Sequence, residues 1–458
     1  MHCQFLITSL LLLAKAFAEQ GSNYNVSREF ALANGCGDAC QKNMAAANQQ
    51  DLETFGQDFD FDFYKTAANF STSKAGDVLK LQPLDPKPLN IRSGTSIYRL
   101  QYSSKDLNGS LVPATAFLAL PFAPRPAAKD CSKNSNSTVY PLVAYAHGTS
   151  GIYRGCAPSN GPSLYDYDSW QLLIERGYAV VATDYAGLGS NHTLHKYGSY
   201  VAQANDVYFS VVAARRAFGG SALFSEDWMS VGHSQGGATV WKLSESDLVA
   251  RDTHYLGTVA LAPAARLWTM FRLNLETAGA FLGYAPYHAK ALQRVLPDYN
   301  LSVLAEPLRK RVIGVADTAQ LCFSGLMSMS ADLPSDQIVS SAGIQQDNAK
   351  FQAWEDEMSP GKAGRCSSGP VLVVQGLKDT AVLPQATREV YDDACKLGSE
   401  VHLREYPLME HSPVIPAAAP QWLAWVDERF AHKATPGGCS ARVERPFDSS
   451  LVKAPAED

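Results

Sequence analysis

Hydrophobic and polar residues alternate in a strand-like pattern early in the chain. Later in the chain, strand-like segments alternate with helix-like segments. Two alternating runs, 97–102 and 111–120, flank Asn108-Gly109, a dipeptide that favours a tight hairpin turn. Apolar runs then predict strands at 140–145, 178–183, 228–231, 257–262, 371–375 and 401–406, with helical segments between them. This alternation predicts an α/β protein with a mostly parallel sheet, covered by helices on both faces.

The segment 266–365 lacks a strand pattern and is rich in aromatic residues at helical spacing. We expect it to form a helical cap whose substrate contacts are Trp268, Phe271, Phe281 and Tyr284. The alternative is a packed helical subdomain with no role in binding, because aromatic residues at such spacing usually form a core. The predicted organisation is a signal peptide at 1–18, an N-terminal extension at 19–90, a core at 91–265 and 366–432, the cap at 266–365, and a polar tail at 433–458.

Composition favours an exported protein and excludes a nucleic-acid partner. The 458 residues are 46% apolar and carry a net charge of −6, so no basic surface attracts a phosphate backbone. An apolar run at 5–13 followed by Ala16-Phe17-Ala18 is typical of a leader cleaved after Ala18. No later apolar run has the length of a membrane span. We therefore expect a secreted, extracellular monomer without a transmembrane segment.

Cysteines and sequons point to the same compartment. Of nine cysteines, Cys3 leaves with the predicted leader, and the remaining eight lack the clustered histidines of a zinc site, which favours disulfides. Their pairing does not follow from the sequence. The Asn-x-Ser/Thr sequons predict glycosylation at Asn25, Asn69, Asn108, Asn136, Asn191 and Asn300.

The pentapeptide Gly-His-Ser-Gln-Gly at 232–236 carries the strongest chemical signal. A predicted strand precedes it and a predicted helix follows it. Glycines two residues on either side of Ser234 remove the Cβ atoms that would collide in a sharp strand-to-helix turn. The pattern predicts a nucleophile elbow that exposes the Ser234 hydroxyl; a plain glycine-rich turn is the alternative.

A serine nucleophile needs a base and an orienting acid, and later strands supply candidates for both. Asp379 follows the strand at 371–375, and His411 follows the strand at 401–406. The chain order serine, aspartate, histidine is that of α/β-hydrolases. His411 is the predicted proton acceptor, and Asp379 the residue that fixes its tautomer. Asp184 is a rival acid that also ends a strand, but its sequence context favours holding a loop.

Negative charge on a reacting carbonyl oxygen requires donors placed in advance. The backbone N–H of Gln235 is one predicted donor. The other belongs to the turn after the strand at 140–145, where Thr149 is the first choice and Gly148 the second. This chemistry requires no cofactor and no metal.

Several motifs together resemble the fungal secretory lipase family, which includes lipase A types. They are Gly-His-Ser-Gln-Gly-Gly at 232–237, Ala-His-Gly-Thr at 146–149, Cys-Ala-Pro-Ser at 156–159, Asp379, His411 and the long helical insertion. The resemblance spans about 90–432. It implies an α/β-hydrolase fold, a cap over the active site, and hydrolysis of carboxylic esters or triacylglycerols, with contact to a lipid interface.

Three other functions remain as alternatives at this stage. The same triad would serve a deacylase, such as a deacetylase, of a small secondary metabolite. A serine peptidase of the same fold and a non-catalytic binding protein with a vestigial triad are the others. The acyl chain length, the alcohol and interfacial activation do not follow from the sequence.

Overall fold

The computed structural model describes residues 19–125, 139–165, 169–219, 223–277, 280–362 and 364–453. These residues form one ten-stranded sheet. In chain order the strands are β1 (Val78–Pro83), β2 (Ser96–Lys105), β3 (Leu111–Leu120), β4 (Tyr140–Ala146), β5 (Ala179–Thr183), β6 (Phe224–His233), β7 (Tyr255–Leu261), β8 (Val371–Gly376), β9 (Val401–Tyr406) and β10 (Ser440–Val443).

The sheet is antiparallel at one side and parallel across the rest. Its strand order is β1-β2-β3-β5-β4-β6-β7-β8-β9-β10. The pairs β1–β2, β2–β3 and β3–β5 are antiparallel, and every pair from β5–β4 onward is parallel. The predicted hairpin and the predicted parallel sheet are both confirmed. The carboxyl ends of β4 to β9 consequently meet at one edge, where ligands of such sheets bind.

Sixteen α-helices are found in the described residues. They are α1 (Arg28–Ala33), α2 (Asp38–Phe55), α3 (Phe61–Tyr64), α4 (Trp170–Glu175), α5 (Tyr200–Ala217), α6 (Gln235–Ser244), α7 (Asp247–Ala250), α8 (Leu267–Thr277), α9 (Ala285–Val295), α10 (Glu306–Arg311), α11 (Asp317–Ala319), α12 (Phe323–Ser328), α13 (Ser335–Ile338), α14 (Ser341–Met358), α15 (Pro384–Lys396) and α16 (Val414–Phe430). None of these described helices is long and apolar enough to cross a membrane.

Side chains of the sheet divide between two hydrophobic cores, one on each face. On β4, Leu142 and Ala144 belong to the core that includes α5 and α6, whereas Val143 and Tyr145 belong to the core that includes α4 and α16. Successive residues of a strand point to opposite faces, so a strand covered on both faces is apolar at every position. This explains why the central strands are continuous apolar runs.

Two strands lie where the sequence predicted none. β1 falls in the predicted N-terminal extension and pairs with β2, and β10 falls in the predicted polar tail and pairs with β9. Both are edge strands with much exposed surface. An edge strand has a single neighbour and buries few side chains, so its sequence carries little pattern. The helix predicted after the pentapeptide at 232–236 is followed by a second one, so that α6 and α7 are separate, because the Ser246 hydroxyl accepts from the Leu248 N–H and begins a new helix.

Three disulfides join described cysteines: Cys36–Cys40, Cys156–Cys322 and Cys395–Cys439. The predicted use of cysteines in disulfides is thus confirmed for these pairs. Cys366 is exposed and has no disulfide partner among the described cysteines. Cys131, the predicted leader and the sequon at Asn136 lie outside the described residues. The five described sequon asparagines, Asn25, Asn69, Asn108, Asn191 and Asn300, are all exposed.

Candidate active site

The predicted elbow is present in the structure as a sharp turn between β6 and α6. Ser234 has φ 57° and ψ −119°, a strained conformation that non-glycine residues rarely adopt. A Cβ atom on Gly232 would lie 2.3 Å from the Gly236 oxygen, and one on Gly236 would lie 1.9 Å from the Ala146 oxygen. Neither glycine tolerates a side chain without movement of the backbone. The Ser234 N–H donates to the Leu261 oxygen at 2.9 Å, which anchors the turn to β7.

The structure brings His411 and Asp379 into direct contact. His411 Nδ1 lies 2.8 Å from Asp379 Oδ2. The carboxylate is completely buried and accepts three further hydrogen bonds, from Gln375 Nε2 at 3.1 Å and from the backbone N–H groups of Ala381 and Val382 at 2.9 and 2.7 Å. An ionised carboxylate only accepts, so it holds the imidazole proton on Nδ1 and leaves the Nε2 lone pair as a proton acceptor.

Ser234 and His411 both lie next to His233, the residue that ends β6. The His233 and His411 ring centroids are 4.5 Å apart. A Cβ atom built on Gly148 would lie 3.3 Å from Ser234 Cβ and 3.4 Å from His233 Nδ1. Among the hydrogen bonds of the described residues, none joins the Ser234 hydroxyl to His411, a contact that in many hydrolases tightens only when substrate binds. Nothing in the sequence signals the contact between the two histidines, because it joins the end of β6 to the loop after β9, which lie far apart in the chain.

Both predicted oxyanion segments lie beside the serine. The His147-Gly148-Thr149 turn follows β4, and Gln235 is the first residue of α6. Within the described part of the chain, no hydrogen bond uses the backbone N–H of Gln235 or of Thr149. The first N–H groups of a helix have no partner inside it, so they are available to a ligand. The Thr149 carbonyl and hydroxyl are both held, by the hydroxyls of Tyr165 and Tyr197.

Three histidines near the site are neutral at neutral pH. Burial lowers the pKa of His147 to about 4 and that of His195 to about 3. Burial, followed by the nearby His411, lowers the pKa of His233 well below its ordinary value. A neutral His233 avoids like-charge repulsion when His411 takes up a proton.

Asp184, the rival acid, is engaged elsewhere. Its buried carboxylate accepts from the Thr115 hydroxyl at 2.6 Å and from the Ser159 N–H and hydroxyl at 2.8 and 2.5 Å. Burial raises the pKa of Asp184, and the hydrogen bonds from Ser159 and Thr115 oppose the rise. Because these bonds join β3 to the loop at 157–160, Asp184 holds a loop, and the His411 imidazole meets Asp379 instead.

The aromatic residues predicted as substrate contacts occupy different environments. Trp268 and Phe271 are fully buried, and their rings stack on each other at 5.3 Å, with Phe351 at 4.3 Å from Trp268. Both rings therefore pack in the interior of the helical region, and their role as substrate contacts stays a prediction. Tyr284 is half-buried and lies 6.0 Å from the Phe323 ring. The Phe281 side chain lies outside the described part of the structure.

The helical region is joined directly to the loop that follows the oxyanion turn. The Cys156–Cys322 disulfide links the two, and the Phe323 N–H donates to the Ser150 oxygen at 3.1 Å. The hydroxyl of Tyr153 also donates to Asp317. The helices of 266–365 are therefore fixed beside the carboxyl edge of the sheet, where Ser234 and His411 lie.

Comparison with known proteins identifies the family. The sequence model of the secretory lipase family matches residues 165–438. The chain belongs to the secretory lipase family. Members of this family are lipases or esterases, so the protein is a carboxylic ester hydrolase, and the predicted hydrolysis of carboxylic esters is confirmed. Among its relatives, Lipase 10 of Candida albicans is 22% identical over 409 residues, and Lipase 6 of the same organism is 23% identical over 403, each alignment covering 83% of both chains.

Solved structures show that this secretory lipase has the predicted α/β-hydrolase fold. Candida antarctica lipase A in its closed state matches with a TM-score of 0.63 at 16% identity, over 82% of this chain and 87% of that one. The rice cell wall degrading esterase LipA from Xanthomonas oryzae matches with a TM-score of 0.57 at 18% identity, over 79% and 97% of the two chains. At such low sequence identities, the structural similarity supports the fold alone.

Proposed function

We propose that Ser234, His411 and Asp379 are the catalytic triad of this lipase or esterase, and that it acts through an acyl-enzyme on Ser234. The observation that carries the proposal is the 2.8 Å contact between His411 Nδ1 and Asp379 Oδ2, beside a strained serine turn. Chain order, burial of the acid and partial exposure of the imidazole all fit these roles.

The proposed reaction follows from where the protons are held. Because Asp379 keeps a proton on His411 Nδ1, Nε2 accepts the Ser234 proton as the serine oxygen attacks the ester carbonyl. The imidazolium formed is stabilised by the Asp379 carboxylate, and it returns the proton to the leaving alcohol. Water then attacks the acyl-enzyme, with His411 as the base, and releases the carboxylic acid.

Two backbone donors are proposed to stabilise the oxyanion. They are the N–H of Gln235 and the N–H of Thr149, with Gly148 as the reserve. Neither of the first two is used in a hydrogen bond within the described residues. Loss of one such donor typically lowers kcat by about 10²- to 10³-fold.

We further propose that the protein is secreted after cleavage at Ala18, and that 266–365 caps the site of a monomeric enzyme. Three disulfides and five exposed sequon asparagines support export. The links from Cys322 and Phe323 to the loop after the oxyanion turn support the cap. The proposed domain division also keeps 19–90 as an extension and 433–458 as a tail, although each of these contributes a strand to the sheet.

Turnover of p-nitrophenyl esters tests the triad. Ser234→Ala is expected to abolish turnover and labelling by a fluorophosphonate probe, whereas Ser230→Ala, a buried serine on the same strand, is the matched control that keeps both. Turnover in Ser234→Ala equal to wild type would refute the proposal. Comparing acetate, butyrate and palmitate esters separates the alternatives, since a metabolite deacetylase would prefer acetate. A binding protein would turn over none, and a peptidase would prefer amides.

A further inference from the structure

Tyr185 is a buried residue in an unusual backbone conformation next to the proposed oxyanion hole. It follows β5 by two positions, has no exposed surface, and adopts φ 69°. Its N–H donates to the Thr183 hydroxyl at 3.0 Å. A left-handed conformation is costly for a tyrosine and persists only where the surroundings fix it. The contacts of its side chain indicate what this conformation serves.

The Tyr185 hydroxyl holds the first oxyanion segment. It donates to the His147 oxygen at 2.9 Å, and the rings of the two residues lie 4.5 Å apart. The His147 carbonyl and the Gly148 N–H belong to one planar trans peptide, so they point in opposite directions. Fixing the carbonyl therefore fixes the direction of the Gly148 N–H and the start of the turn that leads to Thr149.

The same side chain also reaches the second oxyanion segment. The Tyr185 ring stacks on the His195 ring at 5.8 Å. His195 Nδ1 lies 3.2 Å from the Ala186 oxygen, and its Nε2 lies 3.4 Å from Gln235 Nε2. Because the carbonyl only accepts, the His195 proton is on Nδ1, and Nε2 accepts from the Gln235 amide.

A second link to α6 runs through Thr239. The Thr239 hydroxyl lies 2.9 Å from the Gln235 oxygen and 2.8 Å from Gln203 Oε1, so these two acceptors share its one proton. Burial raises the pKa of Tyr185 well above its ordinary value, and a hydrogen bond with the Thr239 side chain opposes that rise. One phenol is thus connected to the segments of both proposed donors, which come from β4 and α6.

We propose that Tyr185 is a positioning residue that sets the spacing between the two oxyanion donors. The inference rests on the proposed function. Donors stabilise an oxyanion when they lie about 2.7–3.1 Å from the position that it occupies in the transition state. A small change in their spacing therefore weakens transition-state binding while leaving ground-state binding of the ester unchanged.

Tyr185→Phe tests the inference, because it keeps the ring stack and removes the hydroxyl donor. We expect kcat for p-nitrophenyl butyrate to fall by about 10- to 100-fold with KM unchanged, less than the loss of a whole donor. The rate of inactivation by a fluorophosphonate, whose phosphoryl oxygen occupies the same hole, should fall by a similar factor. Tyr255→Phe is the matched control, since that buried hydroxyl lies 3.1 Å from Ser230 Oγ, away from the site, and it should leave kcat unchanged.

The outcomes separate this inference from the proposed function. If wild type hydrolyses no ester, or Ser234→Ala is as active as wild type, the proposed function fails and the inference fails with it. If Ser234→Ala is inactive but Tyr185→Phe keeps the wild-type kcat, or changes KM alone, only the inference is overturned. If Tyr185→Phe does not fold, Thr239→Val removes the link to α6, and a wild-type kcat in that variant overturns the inference.

Discussion

Replacing Asp379 by asparagine is the sharpest test of the proposed triad, because both carboxylate oxygens accept hydrogen bonds and an amide cannot replace both as acceptors. Oδ1 accepts from the N–H groups of Ala381 and Val382, and Oδ2 accepts from His411 Nδ1 and Gln375 Nε2. Asparagine offers one oxygen and one NH2 group. Its NH2 must therefore face two donors, whichever way the amide is turned.

The two orientations differ in cost. With NH2 toward the loop, both backbone N–H groups lose their acceptor, at about 1–3 kcal/mol each. With NH2 toward His411, the imidazole moves its proton to Nε2 and accepts from the amide, so only Gln375 loses an acceptor. The Gln375 amide does not turn over readily, since its Nε2 also donates to the carbonyls of Gly376 and Val382. The second orientation is consequently favoured by about 1–3 kcal/mol.

The favoured orientation is the inactive one, because a protonated Nε2 cannot accept the Ser234 proton. This population effect, together with loss of the charge that stabilises the imidazolium, predicts a fall in kcat of about 10²- to 10⁴-fold with little change in KM. Stability should fall by about 0.5–1.5 kcal/mol, the net contribution of one hydrogen bond, because Gln375 Nε2 loses Asp379 but keeps the carbonyls of Gly376 and Val382 as acceptors.

Steady-state hydrolysis of p-nitrophenyl butyrate and thermal unfolding measure both effects. Asp184→Asn is the matched control, because Asp184 is equally buried and also follows a strand, yet it bonds to Thr115 and Ser159. The hydroxyls of Thr115 and Ser159 can reorient toward an amide, so kcat should stay close to that of wild type. The reasoning is refuted if Asp379→Asn keeps kcat within about tenfold of wild type, or if Asp184→Asn loses as much.

Two further predictions concern the elbow and pH. Gly236→Ala places a Cβ atom 1.9 Å from the Ala146 backbone oxygen, so it should lower ester turnover, the melting temperature and the free energy of unfolding, the last by at least about 1–3 kcal/mol. Gly37→Ala is the control, because a Cβ atom there meets no atom within 4 Å. Equal melting temperatures for the two variants would contradict the steric argument. The Asp51 carboxyl accepts from two N–H groups at the start of α12, and burial raises its pKa from 3.8 to about 6. Its contribution to stability is therefore complete below pH about 4 and is lost as the pH rises through about 6. In Asp51→Asn, chemical denaturation between pH 4 and 7 should show a flatter stability curve than wild type, and parallel curves would contradict the assignment.

Much of the fold could be predicted because its central strands are buried on both faces. A strand such as β7 or β8 is buried at almost every position and mostly apolar, so pattern alone locates it. β1 and β10 escaped prediction because edge strands need no such pattern. The helical spacing of Trp268 and Phe271 shows that each faces an apolar partner, but it does not identify that partner.

The sequence by itself determined the elements, the glycine-flanked turn at Ser234, and the order of the serine, acid and base candidates, because these depend on residues close together in the chain. Only the tertiary structure decided which carboxylate meets His411, which cysteines pair, and that Tyr185 contacts the segments of both proposed oxyanion donors. These contacts depend on the order of the strands in the sheet. The pair β4 and β5 and the pair β6 and β7 become neighbours only when the sheet forms. Local periodicity records that a side chain is buried, and the assembled sheet determines what it is buried against.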